Sequence, residues 1–456
     1  MNNIITSLFR PVDISSIVFV RITLGLLLFL KVGSYLVSGY IDQIWLQPDY
    51  HFKYYGFHWV GVLPADYLYL LVATVSLSAL FIAVGLFYRI STVIFFIGFT
   101  YLFLLEQAVY LNHYYLVIIV SFLLILIPAH RFFSIDSLIW PKLKSRWISS
   151  WCVWILMFQI GLVYVFGGIA KINWDWLHGW PLWLWLDEGF IGTHPNKEIF
   201  IYVISYFGIL FDLLIVPLLL FRKTRVIAFL LALIFHISNK ILFNIGIFPY
   251  LSLILSTMYF SPGWPRKLFD KTAVSDYLPE YKQLNFEILN KSQQFLLIFL
   301  TVFIAFQVFF PLRHILYPGN VSWTEEGHNF AWHMKLRDKY GSITYQIRDP
   351  KTGNTWDLTP EIYLTKRQKR MLAARPYLAI QFAHYIEEQF KIKGFENVEV
   401  RVKAKVSLNG RRKQLIIDPN TDLTMYNDSL MPAEWILPLT EPLRSPKFTK
   451  PLRRPK

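Results

Sequence analysis

Apolar residues fill the first 312 positions in long blocks, separated by short clusters of charged and turn-forming residues. About twenty apolar residues in a helix cross a hydrocarbon layer about 30 Å thick, so block length alone marks candidate spans. Nine are predicted, at 14–37, 67–87, 91–111, 114–129, 150–172, 199–221, 225–243, 246–261 and 293–312. The fourth is short, and the seventh and eighth are nearly continuous. Pro217 within the sixth and Pro249 near the start of the eighth predict a kink or break, because proline supplies no N–H to the helix. Beyond 312 the pattern changes. Ser342–Arg348 and Val398–Leu408 alternate as strands do, and Pro376–Lys391 reads as an amphipathic helix. Asn409-Gly410 followed by Lys413–Ile417 predicts a hairpin closed by a type I′ turn. The expected fold is an all-α polytopic membrane domain of about nine transmembrane helices (1–312), then a small α+β extracytoplasmic domain (313–440). A basic, proline-rich tail (441–456) is expected to be extended.

Charge gives this partition a direction. With the N-terminus inside, the inner segments carry fourteen lysines and arginines and the outer loops only Lys53 and Lys197. That asymmetry places the C-terminal domain on the outer side, as in a bacterial inner-membrane protein with a periplasmic domain. The first block shows no small-residue cleavage site and reads as a signal anchor. Composition agrees: 55% hydrophobic, 18% aromatic, and a net charge of +15 that suits orientation and anionic lipid better than nucleic acid. A single cysteine, Cys152, excludes an intrachain disulfide and a cysteine-based metal site. No P-loop, dinucleotide fingerprint, nucleophile elbow or HExxH string is present. His51, His58, His178 and His194 lack ligand spacing, so no metal is expected.

Polar groups inside apolar blocks are expensive and mark candidate chemistry. Lys171 ends the apolar run Trp151–Ile172. It reads either as a lysine snorkelling to the headgroups or as a desolvated amine able to act as a base. Asn112-His113 opens the fourth span, with Asn112 either capping the helix or, with His113, meeting a ligand. His236 and Asn239 are three residues apart and share a helix face, as an interhelical pair or as part of a site. Glu106 and Asp212 are expected to pair with Arg21, Lys31 or Lys240. Trp174, Trp176, Trp180, Trp183 and Trp185 read as an interfacial belt, which would also suit a mouth for a flat, lipid-soluble ring.

Several strings resemble the vitamin K-dependent γ-carboxylase family with its HTTM membrane domain, in order and spacing, over most of the chain. They are Asn112-His-Tyr-Tyr-Leu116 with Ala129-His-Arg-Phe-Phe-Ser-Ile-Asp136, Tyr164–Gly179, His236–Phe248 and Ser261–Leu268. The resemblance implies an integral-membrane enzyme that oxygenates a reduced naphthoquinone to its epoxide with O₂. It couples this to carboxylation of protein or peptide glutamate with CO₂. Reduced vitamin K, as menaquinol or phylloquinol, would be the cofactor, and a lipid bilayer, a quinone and a glutamate-containing peptide the partners. By resemblance Lys171 is the base, His113 and His236 are catalytic, and Asn112, Tyr115, Trp176 and Asn239 surround the quinone. The chain lacks the animal enzymes' extra outer region and their disulfide, and Arg337 stands where the family has a histidine, with His333 one helical turn away. Two other readings stay open: a quinol epoxidase that carboxylates nothing, and a non-enzymatic quinone- or lipid-binding protein.

Overall fold

The computed structural model describes residues 2–186, 194–243, 245–269 and 289–444. Among the described residues six helices are long and apolar enough to cross a membrane: Ser15–Val37, Ala65–Val84, Trp151–Lys171, Lys197–Leu220, Arg225–Phe243 and Lys291–Leu316, the last ending in a 3-10 turn. Two expected spans form shorter apolar helices, Tyr88–Leu104 and Asn112–Leu126. The eighth is a nine-residue helix, Phe248–Ser256, with Pro249 in its first turn, as a residue lacking an N–H allows. Nine residues rise about 14 Å, too little to cross alone. Pro217 lies inside its helix near the C-terminal end rather than breaking it.

Close helix packing here depends on glycine. A Cβ at Gly25 would stand 2.7 Å from the backbone nitrogen of Ala83 and 2.8 Å from the Ala79 carbonyl. The first two long helices therefore meet backbone to backbone, the way membrane helices gain dispersion contact without a hydrophobic driving force. At the end that the charge count marks as inner, β1 (Pro11–Asp13) pairs antiparallel with β2 (Trp147–Ser149). There Arg21, fully buried, donates to the carbonyls of Ala129 (2.9 Å) and Phe132 (3.4 Å) and to that of Phe133. Asp136 accepts from the backbone of Phe87 and Tyr88 at 2.7 and 2.9 Å. The 129–136 string is thus a buttress that satisfies buried polar groups.

The C-terminal unit is a four-stranded antiparallel sheet, order β4-β3-β5-β6, with β3 Lys339–Arg348, β4 Thr355–Leu358, β5 Glu399–Leu408 and β6 Gln414–Leu415. Ile343, Tyr345 and Ile347 alternate with exposed residues along β3, so one face is buried. Lys366–Ala374 and Pro376–Ile392 cover it, the latter through Leu378, Phe382, Ile386 and Phe390. The predicted turn is present: Asn409 and Gly410 both have positive φ, and the Arg411 N–H bonds the Leu408 carbonyl at 3.1 Å. Pairing then resumes only at Val406–Gln414, so β6 is shorter than expected.

This unit docks on the loops that join the membrane helices. Phe52 and Ala108 enter its core. Gln381 exchanges two hydrogen bonds with the Lys53 backbone, at 2.9 and 3.0 Å. Gln368 bridges the Tyr50 carbonyl (2.7 Å) and Glu106 (2.8 Å). Burial raises the Glu106 carboxyl to about 7. Glu106 is therefore an interdomain anchor, not the partner of a membrane cation.

Candidate active site

The lysine helix ends by a local rule. Asn173 accepts from the Trp176 N–H at 3.0 Å and donates to the Ala170 carbonyl at 2.8 Å, so one side chain closes one helix and opens the next turn. Trp176 is then fixed to the 197–220 helix by two bonds. Its indole donates to the Ser205 carbonyl (3.0 Å), and the Ser205 hydroxyl donates to its own carbonyl (2.6 Å).

Lys171 does not snorkel. It is 8% exposed, and its Nζ pairs with Asp212, itself 5% exposed. The pair forms because Gly167 and Gly168 thin the helix face: a Cβ on Gly167 would come within 3.3 Å of Asp212 Oδ2, and one on Gly168 within 2.7 Å of Leu213. Asp212 thus belongs to Lys171 and not to Arg21, Lys31 or Lys240. Arg21 bonds carbonyls, as above, and Lys240 donates to the Gly246 carbonyl at 3.4 Å. The sequence places Lys171 at the membrane boundary as a solitary amine. In the structure that amine is not solitary: it pairs with Asp212, which lies fifteen residues into the 197–220 helix. A lone buried charge costs several kcal/mol, and a counter-charge offsets much of that.

A cavity of about 670 Å³ opens beside this pair. Asn112, His113, Trp176, His236 and Asn239 line it together with Lys171. The Lys171 ammonium lies 5.6 Å from the centre of the Trp176 ring. His113 is buried against Gly246, where φ is +63° and a Cβ would come within 3.1 Å of its Nε2. His236, 1% exposed, lies 2.7 Å by its Nε2 from the Tyr164 hydroxyl, while its Nδ1 has no hydrogen-bond partner among the described residues. Asn112 is neither a cap nor a free amide. It accepts from the Tyr110 hydroxyl at 2.7 Å and donates to the His333 carbonyl at 3.0 Å, tying its helix to the C-terminal unit. Tyr115 does not join the cavity. It stacks on Trp332 with centroids 5.2 Å apart and lines a separate space of about 1010 Å³.

The tryptophans divide. Trp174 is 68% exposed, as a belt residue is, but Trp176, Trp180 and Trp183 are buried in a small core of their own with Ile201 and Ile209. Near the cavity roof, His333 lies in a bent segment rather than a helix, with positive φ at Phe330, Trp332 and Lys335. Burial and the neighbouring cations lower His333 to about 3. Arg337 is held by Glu325 and His328, with Lys339 on the same carboxylate at 3.2 Å. Burial brings Lys339 down to about 8 despite that carboxylate.

Two family models match this architecture in register with its two units. The HTTM domain model matches residues 9–264, more than half of the chain. The model of the vitamin K-dependent gamma-carboxylase lumenal domain matches residues 292–442. The chain belongs to the vitamin K-dependent γ-carboxylase family. No solved structure matches it. The family model thus names the sheet-bearing unit a lumenal domain, and the cavity lies between helices of the HTTM unit and residues 333–335 and Arg367 of the lumenal one. Sequence reasoning missed Asp212 as the lysine's partner and Tyr164 as the partner of His236. The signal for Asp212 was the lone carboxylate among the apolar residues of the sixth span, since an acid at that depth needs a cation. Tyr164 gave no signal among 26 tyrosines.

Proposed function

We propose that this family member is a membrane γ-carboxylase-like enzyme that oxygenates a reduced naphthoquinone, menaquinol or phylloquinol, to its epoxide. The base so generated drives carboxylation of a peptide glutamate by CO₂. The single observation behind this reading is that the ion pair Lys171–Asp212 lines one aromatic-walled cavity together with His113 and His236. The residues fit a quinol. Trp176, Phe235 and Phe243 supply apolar walls for a ring and its tail, and His236 Nδ1 is a polar atom without a hydrogen-bond partner among the described residues. When bound, the quinol and O₂ together supply the strong base that no side chain can provide.

The chain's own residues then have three tasks. Lys171 and Asp212 hold one proton between them. Shifting it from ammonium to carboxylate leaves a neutral amine beside a neutral acid, with no net charge created in a poorly solvating site. When it takes a quinol hydroxyl proton the pair gains one positive charge and the quinol one negative charge, and the attraction between the two offsets part of the cost of the new anion. His113 and His236 present imidazole N–H groups to the opposing oxygen. Trp176 and the buried tryptophan core behind it exclude water, which a strong base requires.

Purified protein in nanodiscs, given menaquinol and O₂, should form menaquinone epoxide. Lys171→Ala should abolish that, and a small primary amine should restore part of it. The double variant Lys171→Ala/Asp212→Asn controls for the buried carboxylate left alone. No epoxide from the intact protein would refute the reading. Labelled CO₂ entering a glutamyl peptide separates the carboxylase from a quinol epoxidase, and a protein that only binds quinone would do neither.

A further inference from the structure

The cavity carries more positive charge than a neutral quinol can use. Lys31, Lys171, Lys335 and Arg367 line it, and Asp212 is the one carboxylate among the described lining residues. Asp212 is taken by Lys171. Lys31, half-buried on the first long helix, lies 4.8 Å from the centre of the Tyr35 ring and has no carboxylate partner among the described residues. Arg367, half-buried on the 366–374 helix of the lumenal domain, has none either. The charges of Lys240 and Arg367, both of like sign, reach Lys31. The Arg367 charge also reaches Tyr35, Tyr40 and Tyr114, all in the membrane unit.

Like charges held together with no counter-ion form a site that an oxyanion completes. We infer that Lys31 and Arg367 bind the carboxylate of the acidic substrate, beside the Lys171 end of the same cavity. This rests on the reading above and adds to it where the second substrate lies. The chemistry supports a division of the cavity. The aromatic side takes a neutral ring, and the cationic side takes an anion. Arg367 offers two parallel N–H groups, the geometry a carboxylate accepts, and Lys31 adds a point charge. The two groups come from different domains, so the site exists only when the lumenal domain is docked. A lipid phosphate shares the oxyanion chemistry. A carboxylate is favoured because the cations share one cavity with the lysine that the reaction requires.

The test uses the full chain in nanodiscs of zwitterionic lipid at low salt, with an end-capped glutamyl tripeptide and its glutaminyl twin as probes. The glutamyl peptide should bind at least tenfold more tightly. Lys31→Gln and Arg367→Gln should each lower glutamyl affinity about tenfold and leave glutaminyl affinity unchanged. Arg367→Lys should recover part of the loss. Equal binding of the two peptides to the intact protein, which needs no variant to fold, would overturn the inference. So would glutamyl affinity that survives the double substitution. Retention of phosphatidylglycerol by the intact protein but not by the double variant, with no glutamyl preference, would assign the cations to lipid and equally overturn it. The contrast requires no turnover, so a failure to form epoxide would sink the proposed reaction and leave this result standing.

Discussion

The segment after Lys171 is clamped to the lumenal domain by one buried ion pair, and its removal has a size that the contacts define. Arg411 places Nη1 2.6 Å from Asp175 Oδ2 and Nη2 2.7 Å from Oδ1, a bidentate fork. Asn409 adds a third bond to the same carboxylate at 2.7 Å. Asp175 and Arg411 are each 6% exposed. Arg411→Met removes the cation and leaves the carboxylate buried with a single amide donor. Breaking a buried pair from one side costs about 3–5 kcal/mol, mostly the stranded charge. The double variant Arg411→Met/Asp175→Asn strands no charge and should cost clearly less than the sum of the single changes. Hydrogen exchange of the amides in 173–180 and 399–415 reads the opening directly. A cost of 3 kcal/mol is roughly a hundredfold rise in the opening constant. Both stretches should lose protection together, because Gly410 packs on Trp180 so closely that a Cβ would meet its ring at 2.5 Å. A change below about 1 kcal/mol in the single variant, or strict additivity in the double, would refute this.

Three further outcomes follow from other buried groups. His333 is held at about 3 against an ordinary 6.5. Between those values the unfolded chain binds a proton that the folded chain refuses, so stability rises with pH there and is lost on acidification, by about 2 kcal/mol at pH 5. Melting at pH 7.5 and 5 should show this, and His333→Gln should flatten the slope; an unchanged slope would remove the assignment. Asp212→Asn leaves the Lys171 charge alone in the membrane unit and should cost about 3–5 kcal/mol of stability as well as epoxide formation. Lys171→Met/Asp212→Asn should regain folding but not turnover, and recovered turnover would refute the proton-holding role. Gly25→Val should prevent the first two long helices from meeting. Monodisperse protein with an unchanged melting temperature would show that the contact is dispensable.

How much of this was readable before any coordinates depends on the range of the interaction involved. The long helices, the β3 and β5 strands, the 376–392 helix and the Asn409-Gly410 turn are local, set by hydrophobic period and by φ preference within a few residues. The gathering of Asn112, His113, Lys171, Trp176, His236 and Asn239 around one cavity followed from common depth and from resemblance, which needs no packing detail. Rotation about a helix axis does need it. Tyr115 sits only two residues from His113, yet two residues turn a helix by about 200°, enough to carry it to another cavity. What depth alone left out was the partner of Lys171. Here the 173–186 segment folds back as a tryptophan-cored cap, and the neighbouring helix starts well above the lysine. The pairing of Asp212 follows from the same geometry. With that offset, an acid fifteen residues along the adjacent helix is level with the lysine, whereas Lys31 has no carboxylate partner among the described residues. A polar group's partner is decided by which helices touch and at what height, and glycines such as Gly167 and Gly168 set that height by how closely they let two backbones approach.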